Sequence, residues 1–292
     1  MDIGEHQCCR AKPADGMLNP QDYPLAGKRD IAHSTAIKVG SLTIGEGPFT
    51  IIAGPCAIEN YAQVSEVSKA ISSEGLHFMR GGAFKPRTSP YSFQGLRQEG
   101  LDIIARVKAE CGILSVTELM SIGEMDSVSA VADIIQLGSR NMQNFPLLHA
   151  AGKQPKPVLL KRGFGNTLNE LVMAAEHVMS EGNTQIILCE RGIRTFDPSQ
   201  RNTLDLMAAP ILRSVTHLPV IVDPSHSVGH PQFICDAVKA AMVLGADGAL
   251  VEVHPEPQAA LSDGKQSLTI DEFHACMAEV RKLAKALGRE IN

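Results

Sequence analysis

The sequence predicts a (β/α)8 barrel on three observations. Eight short apolar runs rich in Ile, Leu and Val recur along the chain. Segments with helical spacing separate them, and no Gly-rich dinucleotide loop follows the first run. Eight is the strand number that closes a parallel barrel, so closure is favoured over an open doubly wound sheet. At 53–56 the sequence reads A-G-P-C, with Pro where a G-x-G loop would continue.

The elements follow in order. Residues 1–36 mix Pro, Gly, Asp and Lys without an apolar period and read as a flexible extension, ordered only if something docks it. Residues 38–49 hold two short alternating runs around glycines and predict a β-hairpin closing the bottom of a single domain over 37–292. The predicted strands cover 50–53, 76–79, 112–116, 133–136, 158–160, 185–188, 220–222 and 248–251. Helical spacing marks 61–73, 96–110, 167–181, 203–214, 233–244 and 271–287.

Composition removes several function classes. A charge of −5 with no run of basic residues gives no nucleic-acid footprint. Only 9 Phe, 3 Tyr and no Trp leave little for base or sugar stacking. No apolar run approaches the ~18 residues of a membrane span, and the first ten residues lack a signal-peptide pattern. Seven scattered cysteines without a C-x-x-C pair read as reduced thiols of a cytoplasmic protein, with Cys111 and Cys189 as buried hydrophobes. Cys8 and Cys9 beside His6 are a weak alternative metal site, since nothing periodic holds them in place.

Active sites of such barrels lie at the C-terminal strand ends, and charged groups follow nearly every run here. One population is cationic: Arg80, Lys85, Arg87, Arg140, Lys161 and Arg191, with Arg162 and Arg194 as further candidates. In an acidic chain, such a cluster at one rim points to polyanionic small molecules, because arginine matches phosphate and carboxylate bidentately. The other population is Cys56, His226, Glu252 and Asp263, from strands one, seven and eight, which are neighbours in a closed barrel. Mixed S, N and O donors suit Mn²⁺, Fe²⁺, Co²⁺ or Zn²⁺ rather than Mg²⁺ or Ca²⁺.

The motifs G-P-C (54–56), K-P-R-T-S (85–89), S-R-N-M-Q-N (139–144) and L-K-R-G (160–163) resemble those of type I beta 3-deoxy-D-arabino-heptulosonate 7-phosphate (DAHP) synthases. So do C-E-R-G-I-R-T-F (189–196), D-P-S-H (223–226), V-E-V-H-P (251–255) and S-D-G (262–264). The resemblance spans roughly residues 38–285. It implies a TIM barrel that condenses phosphoenolpyruvate with erythrose 4-phosphate at a divalent metal, without an organic cofactor, in the first step of the shikimate pathway.

Carried over by motif, the resemblance implies metal ligands Cys56, His226, Glu252 and Asp263, and phosphoenolpyruvate on Arg80, Lys85, Arg140, Lys161 and Arg191. It puts the aldose phosphate on Arg87, Thr88 and Ser89, and Glu118 beside the reacting centre to order a water. Lys85 or Lys161 would protonate or neutralise the forming alkoxide or the departing phosphate. The resemblance also implies a homodimer or homotetramer, with a separate chorismate mutase as a candidate partner. The segment before the hairpin is too short for the ferredoxin-like or chorismate mutase domains of some relatives, so no built-in sensing domain is expected. The sister enzyme that uses arabinose 5-phosphate is the nearest alternative, but it lacks K-P-R-T-S. An enzyme for a modified aldose phosphate, a Schiff-base aldolase using Lys161 and a non-catalytic scaffold are the remaining readings.

Overall fold

The computed structural model describes residues 18–87 and 89–292. Eight parallel strands close into a barrel: β3 (Thr50–Gly54), β4 (Phe78–Arg80), β5 (Leu114–Glu118), β6 (Ile134–Leu137), β7 (Val158–Lys161), β8 (Ile186–Glu190), β9 (Val220–Val222) and β10 (Gly248–Glu252). They follow the hairpin strands β1 (Ile37–Val39) and β2 (Leu42–Ile44). Closure is made by β10 against β3, with Gly248 to Glu252 in register with Thr50 to Gly54.

The ring of helices comprises α1 (Tyr61–Ser73), α2 (Gln98–Cys111), α3 (Met125–Val131), α4 (Phe145–Gly152) and α5 (Leu168–Met179). It continues with α6 (Ala208–Val215), α7 (Pro224–Val228), α8 (Ile234–Val243) and α9 (Ile270–Ala286). Caps set several of these starts. Asn60 accepts from the Gln63 amide ahead of α1, and Thr167 with Glu170 forms a reciprocal capping box for α5.

Every predicted strand is present, and five of them run on into the polar residue expected to follow: Arg80, Glu118, Lys161, Glu190 and Glu252. Parallel pairing persists through those residues; Glu252 still pairs with Gly54, and Lys161 with Cys189. The sixth helix starts later than the predicted 203, because the Thr203 backbone pairs with Ile193 in a two-way bridge instead.

Each barrel strand sends at least one apolar residue inward: Ile52, Phe78, Val116, Ile134, Leu159, Ile187, Ile221 and Leu250. Ile37, Val39 and Ile44 of the hairpin join that cluster and stopper the N-terminal end, as predicted. Cys189 is buried in the same cluster, and Cys111 is half-buried against the outer core. The second, larger core lies between the strands and the helices.

Residues 18–36, read from sequence as part of a flexible extension, dock on the barrel. Tyr23 and Ala26 are buried, and Tyr23 Oη donates to Asn169 Oδ1 at 2.7 Å. Glu176 on α5 accepts the Leu25 and Ala26 amides at 2.9 and 2.6 Å, and His217 Nε2 donates to the Leu25 carbonyl at 2.7 Å. These partners lie some 150 to 190 residues away in sequence, so no local periodicity announces them. His6, Cys8, Cys9 and Thr88 fall outside the described residues.

Ile44 is fully buried in the hairpin stopper. Ile44→Ala is expected to cost about 2–4 kcal/mol through lost transfer energy and the cavity left behind. Chemical denaturation checks this; a loss below about 1 kcal/mol would mean the hairpin does not share the barrel's core.

Candidate active site

Because β9, β10 and β3 are adjacent, their C-terminal ends converge. The D-P-S-H stretch shows how the sequence aims a histidine there. Asp223 caps α7 by accepting the His226 amide at 3.0 Å, and Pro224 occupies the first helical position. That places His226 one turn on, with Nδ1 2.8 Å from Asp223 Oδ2. A carboxylate only accepts, so Nδ1 carries the proton and Nε2 faces the site as a free donor of electrons. Burial lowers the His226 pKa against the opposing pull of Asp223 and Glu252.

Cys56, His226, Glu252 and Asp263 present four ligand atoms all within 4.8 Å of one another. Cys56 Sγ lies 3.1 Å from Asp263 Oδ2, and His226 Nε2 lies 3.2 Å from Glu252 Oε1. The second contact brings an imidazole nitrogen against a carboxylate oxygen, an approach that a shared cation, a proton or a metal ion, satisfies. Burial and Glu252 raise the Cys56 pKa to about 11, while the Lys85 ammonium, 3.0 Å from the sulfur, works in the other direction. The donor set and its geometry fit a borderline divalent metal, whose binding releases the thiol proton.

Supporting groups hold these donors. Glu252 receives Arg80 on Oε1 and Gln266 on Oε2, and its amide donates to Ser225 Oγ at 2.9 Å. Burial opposes ionisation of Glu252, but His226 and Arg80 outweigh it and hold the carboxyl below its usual range. Arg201 bonds Asp263 Oδ1 at 3.0 Å and also donates to Gln266; with His226 it outweighs burial and holds the Asp263 carboxyl low. Asp223 Oδ2 also accepts from Lys161 Nζ, so one buried carboxylate joins Lys161 to His226.

Beside the donors lies a cleft lined by Arg80, Lys85, Arg87, Arg140, Lys161, Arg191 and Arg201, with Glu118, Gln136 and Phe164. Arg140 and Arg191 stand 5.4 and 4.7 Å from the Phe164 ring centroid. Among the described residues, no carboxylate lies within 4.0 Å of Lys85, Arg87, Arg140 or Arg191. Arg191 is buried, and its guanidinium donates to the carbonyls of Gly192 and His226. Burial lowers its pKa, so a bound anion would relieve a real desolvation cost. Glu118 enters the cleft over Gly138, where a Cβ would stand 1.9 Å from its Oε1. A larger cavity of about 450 Å³ opens at the opposite end, between the hairpin and α6, and holds none of these groups.

Most of the predicted residues therefore meet at one rim, but not all. Arg162 turns away from the cleft onto Glu190 at 2.8 Å and Asp205 at 3.2 Å, a buried structural pair. Arg194 stacks on Phe164 at 4.7 Å from the ring centroid without lining the cleft. Arg87 lines it while donating to the Phe93 and Leu261 carbonyls. Ser89 is exposed and outside the cleft lining, its hydroxyl accepting the Tyr91 amide. Arg201 and Gln266 are part of the site but carry no sequence signal, because each lies several residues past a strand in an unpatterned loop.

The sequence profile of the DAHP synthetase I family matches residues 30–288. The chain belongs to this family. It is 50% identical over 270 residues to the phospho-2-dehydro-3-deoxyheptonate aldolase of Thermotoga maritima, covering 92% of this chain and 80% of that one. The crystal structure of a Thermotoga maritima phospho-2-dehydro-3-deoxyheptonate aldolase (DAHP synthase) aligns with a TM-score of 0.90 at 49% identity, over 94% of this chain and 80% of that one. Identity to the 2-dehydro-3-deoxyphosphooctonate aldolase of Geobacter sulfurreducens is 32% over 266 residues, 85% of this chain and 97% of that one. Family membership fits a cleft built for anions beside a donor cluster. No described helix is long and apolar enough to cross a membrane.

Removing the shared carboxylate would leave Lys161 and His226 facing each other without an anion. Asp223→Ala is expected to cost about 3–5 kcal/mol, the range for breaking a buried ion pair from one side. Chemical denaturation of the metal-free chain checks this; a change under about 1 kcal/mol would contradict the role given to Asp223.

Proposed function

We propose that this chain condenses phosphoenolpyruvate with D-erythrose 4-phosphate and water to give DAHP and inorganic phosphate, the entry reaction of the shikimate pathway. The observation that carries this reading is the set of cations without carboxylate partners lying directly beside a four-donor cluster. Phosphoenolpyruvate brings a carboxylate and a phosphate, and the aldose brings a second phosphate. Three anionic groups need several fixed cations, and the cleft provides them.

In this reading Arg80, Lys85, Arg140, Lys161 and Arg191 hold phosphoenolpyruvate, and Arg87, Thr88 and Ser89 take the aldose phosphate. Cys56, His226, Glu252 and Asp263 would hold one Mn²⁺, Fe²⁺, Co²⁺ or Zn²⁺ ion. When bound, that ion supplies Lewis-acid polarisation of the aldehyde. Phosphoenolpyruvate C3 attacks the aldehyde carbon, and Lys85, beside Cys56, gives a proton to the oxygen that becomes the hydroxyl. Water then adds at C2, ordered by Glu118, which accepts its proton. C–O cleavage of the hemiketal phosphate, with the C2 hydroxyl proton passing to the departing phosphate, leaves the C2 ketone and releases inorganic phosphate, whose charge Lys161 and Arg191 offset. Holding both anions in register lowers the barrier by removing their freedom to drift apart.

Phosphate release from phosphoenolpyruvate is the test, run with erythrose 4-phosphate and separately with arabinose 5-phosphate. Turnover is expected with the four-carbon aldose only, lost on EDTA treatment and restored by Mn²⁺. Preference for arabinose 5-phosphate would overturn the aldose assignment, and full activity after chelation would overturn the metal assignment. Arg87→Ala is expected to raise KM for erythrose 4-phosphate about 10- to 100-fold while leaving KM for phosphoenolpyruvate near wild type. Equal effects on both constants would remove Arg87 from the aldose pocket.

A further inference from the structure

Of the four donors, Asp263 lies farthest along the chain from a barrel strand. Its backbone sits in the left-handed region, with φ 54° and ψ 26°. That region is uncommon for a residue other than glycine, though aspartate enters it more readily than most. The loop leading to Asp263 is tied down by Glu59, just past Cys56. Its Oε1 accepts the Leu261 amide at 2.8 Å, and its Oε2 lies 3.5 Å from His254 Nε2. Both side chains are about nine-tenths buried, at 8% exposure each.

His254 is oriented for this contact. Its Nδ1 accepts the Glu256 amide at 3.0 Å, so the ring proton sits on Nε2. That buried Nε2 makes no hydrogen bond, which leaves the Glu59 carboxylate as its compensating group. One carboxylate thus spans three segments: the exit of β3 that bears Cys56, the exit of β10 beyond Glu252, and the loop leading to Asp263. The Leu261 carbonyl is held too, accepting from Arg87 at 3.2 Å.

We propose that Glu59 is a positioning residue: it fixes loop 257–263 against the ends of β3 and β10 and so aims the Asp263 carboxylate at a divalent ion. This rests on the metal-site reading above. Groups that orient a ligand commonly change metal affinity 10- to 100-fold when removed.

The test is a Mn²⁺ titration of the reduced, metal-free full chain, followed by loss of the free-Mn²⁺ EPR signal, with melting temperatures of the metal-free proteins measured alongside. Glu59→Ala is expected to weaken Mn²⁺ binding about 10- to 100-fold. Glu59→Gln is expected to weaken it less, because its amide oxygen still accepts from Leu261. A lower melting temperature with wild-type Mn²⁺ affinity would overturn the inference by making Glu59 merely structural. Should Glu59→Ala not fold, Glu59→Gln and His254→Gln carry the test, and wild-type affinity in both would overturn it. Absence of stoichiometric Mn²⁺ binding by the wild type would overturn the metal-site reading, and this inference with it.

Discussion

The fully buried Asp223 carboxylate accepts from Lys161, from the His226 ring and from the His226 amide. Burial alone would favour its neutral form, but His226 and Lys161 hold it well below the usual carboxylate range. Much of the rim depends on this contact. It fixes the imidazole tautomer that leaves Nε2 open, and it lets an ammonium sit at a strand end inside the barrel mouth. Uncompensated, each buried ion would cost several kcal/mol.

The same constraint sorts the other charges. Arg80 pairs with Glu252, and Arg162 pairs with Glu190. Lys85, Arg87, Arg140 and Arg191 have no such partner among the described residues. The paired cations hold the walls together, and the others leave positive charge at the centre of the cleft. Density of arginine alone would not separate these groups; their partners do. Gly138 belongs to the same logic, since only a residue without a Cβ leaves room for the Glu118 carboxylate at the cleft wall.

The strands were legible in the sequence because a barrel buries both strand faces, so each strand reads as a continuous apolar run bounded by polar residues. Val220–Val222 and Tyr61–Ser73 match their predicted limits, whereas the helix expected from Thr203 does not, because long-range pairing with Ile193 overrides local spacing. Cys56, His226 and Glu252 were legible because each has a distinctive side chain at or just past the end of one of three adjacent strands, and Asp263 because it follows the last of them. Arg162 misled for a related reason: position at a strand end does not say which way a side chain turns, and Glu190 draws it outward. Arg201, Gln266 and the Glu59 contact were hidden because loops bring them in from far along the chain. Docking of residues 18–36 was hidden likewise, resting on Glu176 and His217 rather than on any pattern within the segment.

A divalent ion and phosphoenolpyruvate are expected to bind side by side at this rim. Crystals of the full chain grown with Mn²⁺ and phosphoenolpyruvate, measured at the manganese absorption edge, test it most directly. The expected result is one anomalous peak bonded to Cys56, His226, Glu252 and Asp263, with phosphoenolpyruvate density against Arg140, Lys161 and Arg191. Manganese bound at other residues, or phosphoenolpyruvate outside this cleft, would contradict it.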